Sequence, residues 1–236
     1  MTPVSVVCWK WEPRPGYRST FGPETVNVLR SMVRRHYGDC RFICVTDDTA
    51  GLDPGVEVVP DWKDFADIPS PHGGKNPSCY RRLRAFSPDI ASVFGTRFVS
   101  LDLDTVVVGD LHPLWDRPED FVIWGDTNKS TFYNGSMMLM TAGSRRQVWE
   151  QFDPRKSPQQ SKADGKWGSD QGWISYCLGP GEAKWSRADG VYSFRNDLQK
   201  THDLPANARL VSFHGRLDPW AAYIQQQYPW VKRHWQ

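Results

Sequence analysis

The chain has 236 residues, which at ~150 residues per domain suits one large domain or two small ones. Apolar residues make up 39% and charged residues 24%, with 12 Trp, 8 Tyr and 11 Phe, enough bulk for a core and against disorder. The formal net charge is +2, so charge alone makes no case for nucleic acid or a membrane surface as the main partner.

No stretch approaches the ~18 consecutive apolar residues of a membrane span, and Met1 to Cys8 lacks a basic segment followed by an apolar run, so no secretory signal is expected. The cysteines Cys8, Cys40, Cys44, Cys79 and Cys177 form an odd, scattered set without zinc-site spacing. Three lie in apolar stretches and read as buried thiols. A reduced, soluble, cytoplasmic protein is expected.

Val4 to Trp9 is a β-branched run of strand length. Val26, Leu29, Val33 and Tyr37 recur at helical spacing between Pro23 and Gly38, which predicts a helix over Pro23–Tyr37. Arg41 to Thr46 and Val56 to Val59 read as two more strands, and Asp61 to Asn76 as a long Asp/Pro/Gly-rich loop. A helix carrying Tyr80-Arg-Arg-Leu-Arg-Ala-Phe precedes a strand over Arg97 to Asp102. Strands separated by helix-length segments imply parallel β-α-β units and a sheet covered on both faces.

Further on, Phe121 to Trp124 and Ser136 to Thr141 read as strands, Pro154 to Lys166 as a polar mobile loop and Trp167 to Leu178 as a helix. Leu210 to Phe213 is a last strand, and the tail from Pro219 carries Trp220, Trp230 and Trp235, expected to pack on the domain. There is no internal repeat. One α/β domain is the economical reading.

The sharpest chemical signal is Phe98-Val-Ser-Leu-Asp102-Leu-Asp104-Thr-Val-Val-Val. Ligands of parallel sheets gather beyond the carboxyl ends of the strands. Two carboxylates at i and i+2 there can approach one ion, and their mutual repulsion is relieved by an oxygen-preferring cation such as Mg²⁺ or Mn²⁺. The stretch beginning Asp102-Leu-Asp104-Thr105 also fits the Asp-x-Asp-x-Thr/Val of haloacid-dehalogenase phosphatases, in which the first Asp attacks phosphorus. That motif sits on the first strand of its fold, whereas a hundred residues precede it here, and Gly125-Asp126 lacks the downstream second Asp. No P-loop is present at Gly73-Gly74-Lys75 and no Gly-x-Ser-x-Gly elbow anywhere.

Six stretches recur in a family order: Val4–Trp9; Tyr80-Arg-Arg82-Leu83; Asp102-Leu-Asp104 with Gly109-Asp-Leu-His-Pro-Leu-Trp; Tyr133-Asn134-Gly135-Ser136; Gly168-Ser-Asp170-Gln171-Gly; and Val211-Ser-Phe-His214-Gly215-Arg-Leu-Asp218-Pro219-Trp220. In these the chain resembles the retaining GT-A glycosyltransferases of family 8, the group of glycogenin and the bacterial lipooligosaccharide galactosyltransferases. The resemblance implies a single Rossmann-like mixed sheet flanked by helices, with residues 1–110 as the nucleotide-binding half and 111–236 as the sugar and acceptor half.

It further implies a UDP-sugar donor, an acceptor hydroxyl of unspecified kind (glycan, lipid-linked glycan, protein, small molecule or modified base), and Mn²⁺ or Mg²⁺ held by Asp102, Asp104 and His214. Such a cation, with cationic side chains, offsets the charge of a departing diphosphate. Arg82 matches the residue reaching donor sugar or phosphate, its neighbours Arg81 and Arg84 forming a solvated face. Asp170 matches the acceptor of sugar hydroxyl hydrogen bonds, Gln171 the residue beside the anomeric carbon, and Asn134 and Gly135 the same pocket. Gly215 lets the backbone approach the phosphates. Trp9, Phe21 and Tyr17 are candidate platforms for uracil, with Lys10 near the phosphates, Asp47 beyond the second strand, and Arg216 and Trp220 closing the donor site; Glu12 to Thr20 reads as an insertion. Retention follows from the resemblance, and front-side displacement is expected because no carboxylate is placed as a nucleophile.

The chain departs from the pattern at Asp218, where the family carries a Lys that reaches the diphosphate. A carboxylate there is repulsive by roughly 4 kcal/mol at 4 Å with an effective dielectric of about 20. Arg216 or Lys10 takes over, or Asp218 points away, or the donor differs. A phosphatase and a catalytically silent nucleotide-sugar-binding protein are the alternative readings.

Overall fold

The computed structural model describes residues 4–12, 21–71, 77–125, 130–215 and 217–236. Tyr17, Arg216, most of the expected insertion, the Gly73-Gly74-Lys75 segment and Asp126 lie outside the described residues.

In chain order the strands are β1 (Ser5–Trp9), β2 (Phe42–Val45), β3 (Glu57–Val59), β4 (Arg97–Leu101), β5 (Thr105–Val107), β6 (Phe121–Gly125), β7 (Tyr133–Thr141), β8 (Ala183–Trp185), β9 (Val191–Ser193) and β10 (Leu210–Ser212). The α-helices are α1 (Pro23–Tyr37), α2 (Ala91–Phe94), α3 (His112–Trp115), α4 (Gln147–Glu150), α5 (Ser157–Ala163), α6 (Asp170–Leu178), α7 (Ala222–Gln227) and α8 (Pro229–His234). Cys79–Phe86 is a 3₁₀ helix and Phe194–Leu198 a π-helical turn. Among the described residues no helix is long and apolar enough to cross a membrane.

Seven strands form one sheet in the order β3-β2-β1-β4-β7-β6-β8, and β5-β10-β9 form a second. The alternation of side chains along β1 shows why both faces of the large sheet are covered. Val6 and Cys8 point into a core with Val26, Leu29, Met32 and Val33 of α1. Val7 and Trp9 point into the opposite core, with Tyr80, Leu83 and Phe86 of the 3₁₀ helix and Trp173 and Ile174 of α6. Helix α1 spans the predicted residues, with Pro23 in its first turn and Gly38 at its end.

The parallel β-α-β expectation holds for β3, β2, β1 and β4 and is interrupted at β7, beyond which β6 and β8 are parallel to each other again. Strand β7 is antiparallel to both β4 and β6. Only residues 126–132 join β6 to β7, too few for the crossover that a parallel pair requires. The expected loop over Pro154–Lys166 is also corrected, because it contains α5. Only Ser157 and Ser161 of that helix turn inward, four residues apart. Its buried stripe is polar, so no hydrophobic period marks it. Helix α6 starts at Asp170 rather than Trp167 because the Ser169 side chain caps it, accepting from the Gly172 N–H at 3.2 Å. The tail packs as expected: Trp230 is buried near Phe194 and Phe213, and Trp235 meets Trp220.

Candidate active site

The chain runs from β1 to β2 and β3 on one side, then crosses to β4 on the other. This is the topological switch point of the parallel part, and in open α/β sheets ligands bind beyond the carboxyl ends of the two strands that flank such a point. Lys10 and Trp11 follow β1 there, and Asp102 follows β4.

The Asp102-Leu103-Asp104 segment is the seam between the two sheets. The Asp102 N–H donates to the Ser136 carbonyl on β7 at 3.0 Å, and the Phe213 N–H, just past β10, donates to the Asp104 carbonyl at 2.9 Å. Leu103 between them is buried. The backbone is thus held from both sides while both carboxyl groups remain only half-buried.

Arg82 joins the separated stretches. From the 3₁₀ helix its Nη1 donates to Asp102, while Nε and Nη2 lie 2.9 Å and 2.6 Å from Asp170 Oδ2. The Asp170 side chain is only 4% exposed, so its charge is balanced inside the protein. Burial works against the Arg82 charge, but Asp102 and Asp170 outweigh it and hold the guanidinium protonated more firmly than usual. Gly135 closes the group. A Cβ there would stand 3.5 Å from Arg82 Nη2 and 3.6 Å from Asp170 Oδ2. Asn134 is buried beside it, its Oδ1 accepting from the Ser136 N–H at 2.8 Å. Gln171 lies half-buried in the first turn of α6.

The second cluster surrounds Asp104. Burial first, then the Asp102 and Asp218 carboxylates, pushes the Asp104 carboxyl well above the usual carboxylate range. The Asp218 carboxylate is thus close enough to repel Asp104. His214 leaves the end of β10 with its Nε2 2.7 Å from the Ser193 hydroxyl and its ring edge-on to Trp124. Burial, then Arg195, lowers its pKa, opposed by Asp102 and Asp197. Carboxylates in mutual repulsion beside a neutral imidazole are a donor set suited to Mn²⁺. In this arrangement Arg82 takes Asp102 and Ser193 takes His214, and among the described residues no three His, Cys, Asp or Glu side chains stand together as metal ligands.

Other expected residues are dispersed. Trp9 is buried in the core against Trp11, Trp62 and Phe94, its indole N–H donating to Ser100 Oγ at 3.0 Å, so its ring offers no platform. Lys10 is 4% exposed and held by Asp48 at 2.5 Å. Asp47 pairs with Lys63 and accepts the Asp61 N–H at 3.0 Å. Phe21 and Trp220 meet edge-to-face at 5.4 Å. Gly215 is exposed with φ +102°, a conformation that favours glycine.

Arg81 and Arg84 do not form a solvated face. Arg81 pairs with Asp61 at 2.5 Å and lies over Trp11, and Arg84 sits between Trp62 and Trp149. Tryptophans spread along the sequence cover their stems and guanidinium planes. Two residues that sequence reasoning passed over lie beside these clusters. Trp11 is the half-buried aromatic next in line after β1, signalled only by its place one residue past Lys10. Arg195 follows β9, a strand of three residues with no sequence signature.

No protein-family model matches the chain, and no curated protein matches it in sequence. Its fold does match solved structures. A galactosyltransferase LgtC, crystallised with donor and acceptor sugar analogues, superimposes with a TM-score of 0.61 at 14% identity over 98% of this chain and 96% of the other. The apo glycosyltransferase GlyE of Streptococcus pneumoniae TIGR4 gives 0.58 at 12% over 98% and 60%, and the apo bifunctional glycosyltransferase WbbM gives 0.58 at 13% over 98% and 50%. The mixed seven-stranded sheet with helices on both faces is a GT-A-like single domain.

Proposed function

We propose that the chain is a glycosyltransferase that moves a hexose from a UDP-sugar to an acceptor hydroxyl with retention. The observation that carries this reading is the meeting of Arg82, Asp102, Gly135 and Asp170 beside the switch point, from four stretches up to 88 residues apart in sequence. Burying paired charges costs desolvation energy that a purely structural contact seldom recovers, so such a cluster is characteristic of a site. The similar structures are glycosyltransferases, LgtC with donor and acceptor sugar analogues among them.

In this reading residues 1–110 bind the nucleotide and 111–236 the sugar and acceptor. Trp11 rather than Trp9 offers uracil its ring. Asp170 accepts hydrogen bonds from sugar hydroxyls, with Arg82 fixing its orientation, and Gln171 stands beside the anomeric carbon. An active-site glutamine is also known in LgtC, where it has been replaced by glutamate, which agrees with this role. Asp102, Asp104 and His214 would hold Mn²⁺ or Mg²⁺, which when bound offsets the charge of the departing diphosphate. No carboxylate among the described residues is assigned to attack on the sugar in this reading, which keeps front-side displacement.

The phosphatase alternative finds no support: Asp102-Leu-Asp104 follows the fourth strand, at the seam of two sheets, and the fold is GT-A-like. Thermal unfolding with UDP, in Mn²⁺ and in EDTA, on the wild type and Asp104→Ala tests the reading. UDP at a hundred times its Kd adds about 2.7 kcal/mol of stability. The expected gain depends on Mn²⁺ and disappears in the variant. No gain in either protein overturns the reading. A gain without transfer from any UDP-hexose leaves a binding protein.

A further inference from the structure

The cations near the donor site are nearly all committed. Lys10 is held by Asp48, Arg82 by Asp102 and Asp170, and Arg81 by Asp61. The position where a lysine would face a diphosphate carries Asp218. Arg195 differs from all of these. It is exposed and makes no ion pair with any described residue. Its place follows from strand geometry. β9 and β10 run parallel with Ser193 opposite Ser212, so the residues after each strand emerge side by side at the same end of the sheet. Phe194 and Phe213 stack there at 4.1 Å and 12°. The next residues, Arg195 and His214 with Gly215, are therefore brought together, and a Cβ on Gly215 would stand 3.5 Å from Arg195 Nη1.

The backbone of Arg195 is as constrained as its surroundings. It lies in the π-helical turn, closed by the Gln199 N–H donating to the Phe194 carbonyl at 2.8 Å. Turns of this kind are frequent at functional sites. Ser193 caps the turn and also meets His214, so one hydroxyl ties the arginine's turn to the imidazole. The carboxylate in the same turn, Asp197, is occupied by the Ser193 N–H at 2.8 Å and by Arg187 at 3.0 Å. An arginine kept beside a glycine of positive φ, with no carboxylate of its own, presents a free planar fork to an anion, the geometry that suits phosphate oxygens.

We propose that Arg195 binds the diphosphate of the nucleotide-sugar over Gly215, supplying the positive charge that Asp218 cannot. This rests on the glycosyltransferase reading and names the residue that completes its donor site.

Binding of UDP, UMP and uridine to wild type, Arg195→Ala and Arg195→Lys, each in Mn²⁺ at two salt concentrations, tests the inference. The alanine variant is expected to lose at least ~10-fold in UDP affinity, less for UMP and nothing for uridine. Its UDP affinity should also fall less steeply with salt, and lysine should restore part of the loss. Equal UDP affinity in wild type and Arg195→Ala overturns the inference while the donor reading stands. A loss that is the same for uridine as for UDP also overturns it, since it marks a structural role. A wild type that binds none of the three removes the donor reading and this inference with it.

Discussion

Arg82 grips one oxygen of Asp170 with two nitrogens, Nε at 2.9 Å and Nη2 at 2.6 Å, and has a third nitrogen left for Asp102. Arg82 thereby ties the start of α6 to the end of β4. A sugar bound against Asp170 and a charged group bound against Asp102 would thus be coupled through one side chain.

The first prediction concerns that coupling. Arg82→Ala leaves Asp170 buried without its partner, a change that typically costs about 3–5 kcal/mol. Denaturant unfolding is expected to show a loss of that order, and a much smaller added loss when Asp170→Ala is introduced on the same background. Simple additivity of the two changes would show that the pair carries no coupling. Arg82→Lys should recover little, because an ammonium cannot span the two carboxylates as the guanidinium fork does.

The acidic cluster gives a prediction of opposite sign. Asp104 is raised by burial and by Asp102 and Asp218, so the metal-free protein carries unrelieved repulsion there. Asp104→Asn should therefore raise the melting temperature in EDTA, by the equivalent of about 0.5–2 kcal/mol, while removing any stabilisation by Mn²⁺. An asparagine variant less stable in EDTA than the wild type would show that Asp104 acts structurally.

Much of this site was legible in the sequence because its residues sit at the ends of elements with strong local signals. β1 is a β-branched run, α1 is punctuated by Pro23 and Gly38, and Asp102 follows five strand residues. The second sheet was legible only at β10. β5 is three residues long and merges with the acidic motif, and β9 is as short, so their partners depend on tertiary packing. Arg195 was hidden for that reason: its neighbours Gly215 and His214 come from register with a strand 19 residues away. The lost uracil platform has a different cause. Successive strand residues point to opposite faces, and the period-2 alternation of β1 sends Trp9 into the core.

Gly135 separates stability from function. A methyl group at this position would meet Arg82 and Asp170 at 3.5–3.6 Å, an ordinary contact, so the fold should accept it. Gly135→Ala is expected to melt within a few degrees of the wild type while losing most of its kcat/KM for the UDP-hexose, since the methyl projects at the pair proposed to hold the sugar. Unchanged turnover would place the sugar elsewhere.

The thiols offer a pH dependence with a defined sign. Burial pushes the Cys177 thiol up to about 12, and burial together with Asp39 pushes Cys40 to about 11, each from an ordinary value of 9.0. Above pH 9 the unfolded chain loses these protons before the folded one does, so their contribution to stability is complete below pH 9 and is lost progressively as the pH rises toward 11 and 12. Chemical unfolding at pH 8, 9.5 and 10.5 should show falling stability, and a Cys40→Ser/Cys177→Ser variant a shallower fall. The same shifts keep both thiols protonated at pH 8, so alkylation of the native protein there should be far slower than that of a free cysteine peptide. Parallel pH profiles in the two proteins would assign the alkaline instability to other groups.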